Sequence, residues 1–552
     1  MKKNSIISSS LLISATLLSA CDKNPEKPNI ILILADDMGY SDIGVMGSEI
    51  NTPNIDMLAE QGILYNNFYN GARSCPTRAS LLTGLYAHQA GMGGMEPDRN
   101  LPGFRGNISR NCVTIAEALK LNGYSTYMTG KWHLTNKVKP DNEEDKYNWP
   151  IQRGFDRFYG TIAGAGNFWH PRSLTRNNDV IENEHQNDTT FYYTEKISQN
   201  ATEYLKDHFS KRKNSPLFLY VAYTAPHWPL HALDEDIEKY RGIYNVGWDK
   251  IRNNRFVNMI NKGLVDPGWG IAPRDERVQA WDDIDITKVP EEVQKSIKDA
   301  NQLRSLMSEK MATYAAMIEC MDRGVGDIVK SLKKSGEFDN TLIVFLSDNG
   351  GCDEWGNYGF GWANYRTTGD ISGTAQSDAS YGPAWAHVSN TPFSYYKLYT
   401  HEGGISTPLI IHWPDRIKNP GVINREVGHI IDIMPTFIDA AGGSYPSVYN
   451  ENEIKSLEGV SLLPTIEGTK IEERPLFWEH IGRRAVRLGD WKLVSKDRKG
   501  ESWALYNIVK DRNELNDLSD SYPDRVKHLN SLWQDWANRS NVYPNPWIIA
   551  DN

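Results

Sequence analysis

The sequence predicts an α/β fold with a large, mostly parallel central sheet flanked by helices, followed by a small C-terminal α+β subdomain. Four short apolar runs end abruptly in polar residues, at 30–35, 124–129, 217–223 and 341–346. Continuous apolar runs of this length are typical of strands buried on both faces, as in parallel sheets. Helical stretches lie between them, at 114–121, 193–209 and 310–334. Alternating strands and helices indicate an open α/β sheet.

The last hundred residues change in character. Short strand-like pieces at 475–478, 484–488 and 491–494 are separated by turns, and an amphipathic helix is predicted over 523–536. We therefore predict a main domain over 29–455 and a C-terminal subdomain with an antiparallel sheet over 456–552. A chain of 552 residues is long enough for both units. The net charge of -10 argues against nucleic acid as a partner.

The N-terminus has the pattern of an export signal. Two lysines precede an apolar stretch over 6–18 that is too short to span a membrane, and Leu18-Ser19-Ala20-Cys21 follows. This tetrapeptide resembles a bacterial lipobox, which predicts a signal peptide over 1–20, a lipidated Cys21 and a polar tether over 21–28. The protein would then be an exported lipoprotein, in the periplasm or on the outer-membrane surface, held to the membrane by its lipid anchor only. The alternative is a signal peptide with an incidental cysteine.

Two acidic pairs follow predicted strands, at the carboxyl ends where open α/β sheets form their sites. They are Asp36-Asp37 and Asp348-Asn349. These residues offer hard oxygen ligands, which suit Ca²⁺ or Mg²⁺ better than zinc. Each pair alone could be a turn, because Asp and Asn are common there. Two pairs at equivalent strand ends favour a metal site.

Basic residues follow the other two strands. Lys131 and His133 come after one of them, and His227 follows the other between Ala225-Pro226 and Trp228-Pro229. This proline-rich setting could aim an imidazole, although a lone histidine is more often structural. A histidine suits proton transfer because its pKa lies near neutral pH.

A further candidate site is the stretch Ser74-Cys75-Pro76-Thr77-Arg78, which precedes an apolar, helix-compatible run. Proline is favoured in the first turn of a helix, and a nearby Ser or Thr can cap the helix. The helix N-terminus would favour a bound anion, and Arg78 would add a planar cation. The alternative is an ordinary capped helix.

This stretch, with the Leu-Leu-Thr-Gly that follows, resembles the signature of type I sulfatases, (Cys or Ser)-x-Pro-x-Arg. The resemblance is to bacterial arylsulfatases and carbohydrate sulfatases of the alkaline phosphatase superfamily, and it implies an alkaline-phosphatase-like sandwich. In that family the first motif residue is oxidised to formylglycine, whose hydrated aldehyde is the nucleophile. The matching residue is Ser74, so the resemblance is to the serine type and implies a radical-type, serine-oxidising maturase. Cys75 occupies the variable position.

The resemblance also implies the other site residues. One calcium ion would be held by the residue at position 74 and by the four residues Asp36, Asp37, Asp348 and Asn349. The catalytic residues would be Ser74, Arg78, Lys131, His133, His227 and Lys397. Among these, Lys131 would stabilise charge, His133 would handle the proton of the nucleophile, and His227 would protonate the leaving group. Lys397, five residues before Glu402-Gly403-Gly404, would bind sulfate.

The predicted function is hydrolysis of sulfate esters, on O-sulfated sugars of glycans or on aryl sulfates. Possible substrate-binding residues are His170 and Arg172, in a polar excursion, and His480 in the C-terminal subdomain. One alternative is a phosphomonoester or phosphonate ester hydrolase of the same superfamily. The other, if Ser74 stays unmodified, is a non-catalytic binder of sulfated glycans.

Overall fold

The computed structural model describes residues 27–212, 215–361, 372–495, 497 and 502–548. The predicted lipidation site Cys21 lies outside these residues. In the described part of the chain, no helix is both long and apolar enough to cross a membrane.

The central sheet has eleven strands within the described residues. In chain order they are β1 (Asn29–Ala35), β2 (Ile63–Tyr69), β3 (Ser125–Gly130), β4 (Arg157–Thr161), β5 (Leu174–Arg176), β6 (Asp179–Val180), β7 (Leu217–Ala222), β8 (Thr341–Ser347), β9 (Ser406–His412), β10 (Val422–Asn424) and β11 (Gly428–His429). The spatial order is β10-β2-β9-β8-β1-β7-β3-β4-β5-β6, and β11 pairs with β2.

The directions of the strands bring several strand ends to the same edge of the sheet. Strands β8, β1, β7, β3 and β4 are parallel neighbours. Strand β9 is antiparallel to both β8 and β2, so β2 runs in the direction of β8. The carboxyl ends of β1, β2, β3, β7 and β8 and the start of β9 therefore share one edge, which is where open α/β sheets form their sites.

Helices cover both faces of the sheet. The longest, Ala300–Ser335, packs against the helix Tyr193–Lys211, and both were predicted. The others described are Pro53–Glu60, Ser74–Thr83, Ile115–Leu121, Asp234–Glu238, Trp248–Asn261, Glu291–Gln294, Gly382–Ser389, Glu402–Ile405, Ile433–Ala440, Leu463–Ile466 and Pro523–Arg539. Side chains on the two faces of β1 belong to two separate apolar cores, one on each side of the sheet.

The C-terminal sheet is antiparallel, as predicted. Its strands are β14 (Leu476–His480), β15 (Arg483–Leu488), β16 (Trp491–Ser495) and β17 (Trp503–Asn507), preceded by the hairpin β12 (Val448–Tyr449) and β13 (Asn452–Glu453). Buried ion pairs link this sheet to the main domain, because Glu402 contacts Lys492 Nζ at 2.8 Å and Arg512 Nε at 2.9 Å.

Candidate active site

The predicted helix at the motif begins at Ser74 itself. The N-cap residue is Arg73, and its side chain makes no capping hydrogen bond, so the expected Ser or Thr cap is absent. The Ser74 hydroxyl instead donates to Asp36 Oδ1 at 2.9 Å. Thr77 fixes the first turn by donating to the Asp348 carbonyl at 2.6 Å. The residue at position 74 therefore points at the acidic pair that follows β1.

The two acidic pairs meet at this edge of the sheet. Asp36, Asp37, Asp348 and Asn349 are all buried. The Asn349 amide donates to Asp37 Oδ1 at 2.7 Å, and the backbone N–H of Asp37 donates to Asp348 Oδ1 at 3.2 Å. Asp37 has a φ of 64°, a left-handed conformation that turns the chain sharply after β1. The sequence argument that these strand ends converge is therefore correct.

Three predicted cations surround the acids. Lys131 Nζ lies 2.5 Å from Asp36 Oδ2, and Lys397 Nζ lies 3.0 Å from Asp37 Oδ2. The Arg78 guanidinium binds Asp348 Oδ2 through Nε at 3.2 Å and Nη2 at 3.1 Å, and is completely buried. A divalent cation added to three carboxylates and three cations would leave an excess of positive charge. Such a site attracts an anion.

Repulsion among the buried carboxylates shifts their pKa values. Burial and the neighbouring Asp36 carboxylate raise the pKa of Asp348 to about 7. Burial alone would raise the pKa of Asp36 as well, but the charges of Lys131, His227 and Arg78 hold it well below its usual range. A bound cation would relieve this repulsion.

The donor atoms fit a divalent cation. Asn349 Oδ1 is buried and has no hydrogen-bond partner among the described residues, although buried polar atoms are normally satisfied. Carboxylate and amide oxygens are the ligands that Ca²⁺ prefers. Ligand atoms of Asp36, Asp37 and His227 also lie within 4.8 Å of one another, so a nitrogen donor is near.

His227 reaches the same cluster. Its Nε2 lies 3.3 Å from Asp37 Oδ2 and 3.4 Å from Lys397 Nζ. Its Nδ1 lies 2.5 Å from the Trp228 carbonyl, which can only accept, so Nδ1 carries a proton. Burial lowers the pKa of His227. The ring therefore aims Nε2 into the site.

His133 has a partner that the sequence did not predict. Its Nε2 lies 2.6 Å from Glu96 Oε1, and its Nδ1 is buried without a hydrogen-bond partner in the part of the chain that the structure describes. Burial and the charge of Lys131 lower the pKa of His133 to about 4. A Cβ at Gly164 would lie 2.3 Å from Nε2, so only glycine fits against this ring. No sequence pattern marks Glu96, because it lies in an irregular loop.

Glu354 is a second residue that sequence reasoning missed. It accepts a hydrogen bond from the Trp228 indole and lies 4.0 Å from Lys397 Nζ. Burial would raise the pKa of Glu354, but the charges of Lys397 and His227 lower it to about 2. The sequence feature that could have identified Glu354 is its position soon after Asp348-Asn349.

The predicted substrate-binding residues fall in different places. His170 and Arg172 are exposed, and the His170 ring packs on His185 with centroids 4.6 Å apart. Among the described residues, no hydrogen bond or ion pair joins either side chain to the acidic cluster. His480 is buried, with 1% exposure, and lines a separate pocket that also includes Arg73.

Comparisons with known proteins agree with this architecture. The sulfatase family model matches residues 28–444, and the model described as N-sulphoglucosamine sulphohydrolase, C-terminal, matches residues 393–537. An arylsulfatase from Klebsiella aerogenes is 32% identical, over 79% of this chain and 91% of the relative. An N-acetylglucosamine-6-O-sulfatase from Bacteroides thetaiotaomicron is 25% identical, over 95% of this chain and 89% of the relative.

A solved structure shares the whole fold. The crystal structure of Ps i-CgsB in complex with k-i-k-neocarrahexaose is 28% identical, with a TM-score of 0.65, and covers 95% of each chain. The fold and the site together define an α/β hydrolytic enzyme of the alkaline-phosphatase-like class. The chain belongs to the sulfatase family and is a sulfuric ester hydrolase.

Proposed function

We propose that the chain hydrolyses sulfate esters of sugars, using formylglycine formed from Ser74 and a calcium ion. The observation that carries the proposal is the contact of Ser74 Oγ with Asp36, inside a cluster where Arg78, Lys131 and Lys397 face the carboxylates. A nucleophile at this position would meet an anionic ester surrounded by cations. Fixed positive charge stabilises the negative charge that develops during group transfer.

The metal would be held by Asp36, Asp37, Asp348 and Asn349, with the residue at position 74. When present, calcium would polarise the sulfate ester, and formylglycine would supply the hydrated aldehyde that attacks it. Calcium is favoured over zinc because these ligands are oxygen atoms.

The other residues bind the substrate and move protons. Lys131 and Lys397 would orient the sulfate group, and both are held in place by their contacts with Asp36 and Asp37. His133, oriented by Glu96, would accept a proton from the nucleophile through Nδ1, because no described residue hydrogen-bonds to that buried nitrogen. His227 would donate a proton to the leaving oxygen through Nε2 from its doubly protonated form, which the Asp37 carboxylate 3.3 Å from Nε2 stabilises.

Sugars are the proposed leaving groups. The named relative from Bacteroides thetaiotaomicron is a sulfatase of N-acetylglucosamine, and the solved neighbour was crystallised with an oligosaccharide. Aromatic side chains beside His227 would offer an apolar surface to a sugar ring. They are Trp228 and Trp355, whose rings pack edge to face with centroids 5.0 Å apart.

The decisive experiment compares protein made with and without a serine-oxidising maturase. The peptide containing Ser74 should lose the mass of two hydrogens only with the maturase, and turnover of a sulfated sugar should rise with that conversion. Matched phosphate esters should be poor substrates. Full activity with unmodified Ser74 would refute the mechanism, and preference for the phosphate ester would favour the alternative hydrolase.

Export and lipid anchoring are proposed from the N-terminal pattern. Two lysines, a short apolar run and the lipobox-like Leu18-Ser19-Ala20-Cys21 support a lipoprotein of the periplasm or the outer-membrane surface. Cys21→Ser should move the protein from the membrane fraction to the soluble fraction. Retention in the membrane fraction would contradict the anchor.

A further inference from the structure

A pocket of about 180 Å³ lies between the loop that contains Glu96 and the C-terminal subdomain. Its volume suits one charged group with the ring carbon that bears it. The residues that matter for its chemistry are Arg73, Met95, Arg99, His480 and Trp547.

This pocket adjoins the active site. Arg73 lines it and immediately precedes Ser74 in the chain. The residues on both sides of Glu96 also line it, while the Glu96 carboxylate binds His133. A sugar whose sulfate lies at position 74 would therefore extend towards the pocket.

The pocket carries positive charge without internal compensation. In the described part of the chain, neither Arg73 nor Arg99 forms an ion pair, and Arg73 Nε is buried without a hydrogen-bond partner. The acids adjacent in sequence to the lining residues are already paired: Glu96 with His133, Asp98 with Arg105, and Glu479 with His88. An unpaired cation at a half-buried position is unfavourable unless an anion approaches it.

His480 and Trp547 complete the chemistry. His480 is buried, and no side chain hydrogen-bonds to its ring among the described residues, although the backbone of Gly93 is close enough to interact with one ring nitrogen. Buried polar groups are normally hydrogen-bonded, so the other nitrogen is available to a ligand in the pocket. The guanidinium of Arg99 lies 5.6 Å from the centre of the Trp547 ring, whose flat apolar surface can pack against a sugar.

We infer that this pocket binds a second anionic group of the saccharide, a sulfate or a carboxylate, next to the sulfate ester that is hydrolysed. The inference rests on the proposed function and narrows its substrate class to sugars that carry more than one acidic group. Arg73 and Arg99 attract the second anion, and His480 hydrogen-bonds to it.

The test compares four substrates at equal ionic strength: an aryl sulfate, a monosulfated sugar, the same sugar with a second sulfate, and a disaccharide that joins a uronate to the sulfated residue. The mature enzyme should show a kcat/KM at least about 10-fold higher for a substrate with a second anion than for the monosulfated sugar. Added salt should reduce this preference, because it screens the partly exposed charges. The last two substrates distinguish sulfate from carboxylate as the second anion.

The variants are Arg73→Gln and Arg99→Gln. Each should reduce the preference for the second anion by about 10-fold, the effect of one lost charged contact. Arg99 is exposed, so its replacement does not threaten folding. The matched control is Arg525→Gln, since Arg525 is an exposed arginine over Trp491, 4.3 Å from the ring centre, and does not line the pocket. The control should retain the full preference.

The outcomes separate this inference from the proposed function. If the mature wild-type enzyme fails to hydrolyse the aryl sulfate and the monosulfated sugar, the proposed function is wrong. If it hydrolyses them but shows no preference for a second anion, the inference is wrong. Equal preferences in the Arg99→Gln and Arg525→Gln enzymes would likewise overturn it.

Discussion

His133 Nε2 lies 2.6 Å from Oε1 of Glu96, and the carboxylate can only accept, so the neutral ring carries its proton on Nε2. Nδ1 therefore carries a lone pair, and this buried atom has no hydrogen-bond partner within the described ranges of the chain. Under the proposed mechanism, the contact would make Glu96 a positioning residue for the histidine that accepts the proton of the nucleophile. A carboxylate in this position also increases the basicity of the ring.

Glu96→Gln should lower kcat by about 10- to 100-fold, the usual cost of losing an orienting partner. Glutamine keeps the size of the side chain but removes its charge. The negative charge of Glu96 raises the pKa of His133, which burial holds at about 4, so its loss should lower that pKa further. The acid side of the kcat/KM profile should then move to lower pH.

A pH profile of both enzymes checks this prediction. The control is Asp98→Asn in the same loop, because Asp98 pairs with Arg105 at 3.1 Å and not with His133. It should leave the profile unchanged. An unaltered kcat and pH profile in Glu96→Gln would show that the contact with His133 is only structural.

Removal of the metal should abolish activity, and Ca²⁺ should restore it. Asp348→Asn should weaken calcium binding, measured by calorimetry, by more than the 10- to 100-fold that changes outside the ligand shell typically cost. Asp322→Asn is the matched control, because Asp322 is a buried carboxyl that accepts from the Ile55 backbone instead. Restoration by zinc alone would point to His227 as a nitrogen ligand and contradict the calcium assignment.

The sequence was sufficient to predict the core of the sheet and the convergence of the two acidic pairs at its edge. Strands β1, β3, β7 and β8 are buried along their whole length, and Asp36, Lys131 and Asp348 directly follow three of them. Strand β2 was not predicted, because Asn66 and Asn67 interrupt its pattern where a bulge shifts the register. The antiparallel direction of β9 could also not be predicted from the sequence and is seen only in the structure.

The partners of the catalytic groups were harder to predict than the groups themselves. Glu96 lies 37 residues before His133, in a loop without periodicity, and only the folded chain brings them together. Arg73 has no motif of its own, although it precedes Ser74 directly. Long-range contacts between irregular segments leave no local pattern in a single sequence.

The buried ion pairs that join the C-terminal sheet to the main domain should contribute strongly to the free energy of unfolding. Lys492 is completely buried and lies 2.8 Å from Glu402 and 2.9 Å from Glu514. Lys492→Met would leave both carboxylates without this cation, and breaking a buried pair typically costs about 3–5 kcal/mol. Urea unfolding should show a loss of that size.

Lys330→Met is the control for this measurement. Lys330 pairs with Asp327 at 3.0 Å, but its side chain is 76% exposed. Exposed pairs contribute about 0–1 kcal/mol, so the unfolding curve should hardly move. Similar small losses in both variants would mean that Glu402 and Glu514 find other partners, such as Arg512.

The role of His227 can be separated from sulfate binding by the choice of leaving group. A nitrophenol leaves readily as its anion, whereas a sugar hydroxyl needs a proton in the transition state. General-acid help is worth about 10²–10⁴-fold in rate. His227→Ala should therefore lower kcat/KM for a sulfated sugar by about that factor, and for a nitrophenyl sulfate far less.

Lys397→Ala is the matched comparison, because Lys397 Nζ lies only 3.4 Å from His227 Nε2 yet would bind the sulfate group that both substrates share. Its loss should damage both reactions to a similar degree. The ratio of each variant to wild type, measured as kcat/KM on each substrate, isolates the effect on the transition state. Equal losses on the two substrates for His227→Ala would remove this histidine from the general-acid role and leave it as a residue that positions Asp37 and Lys397.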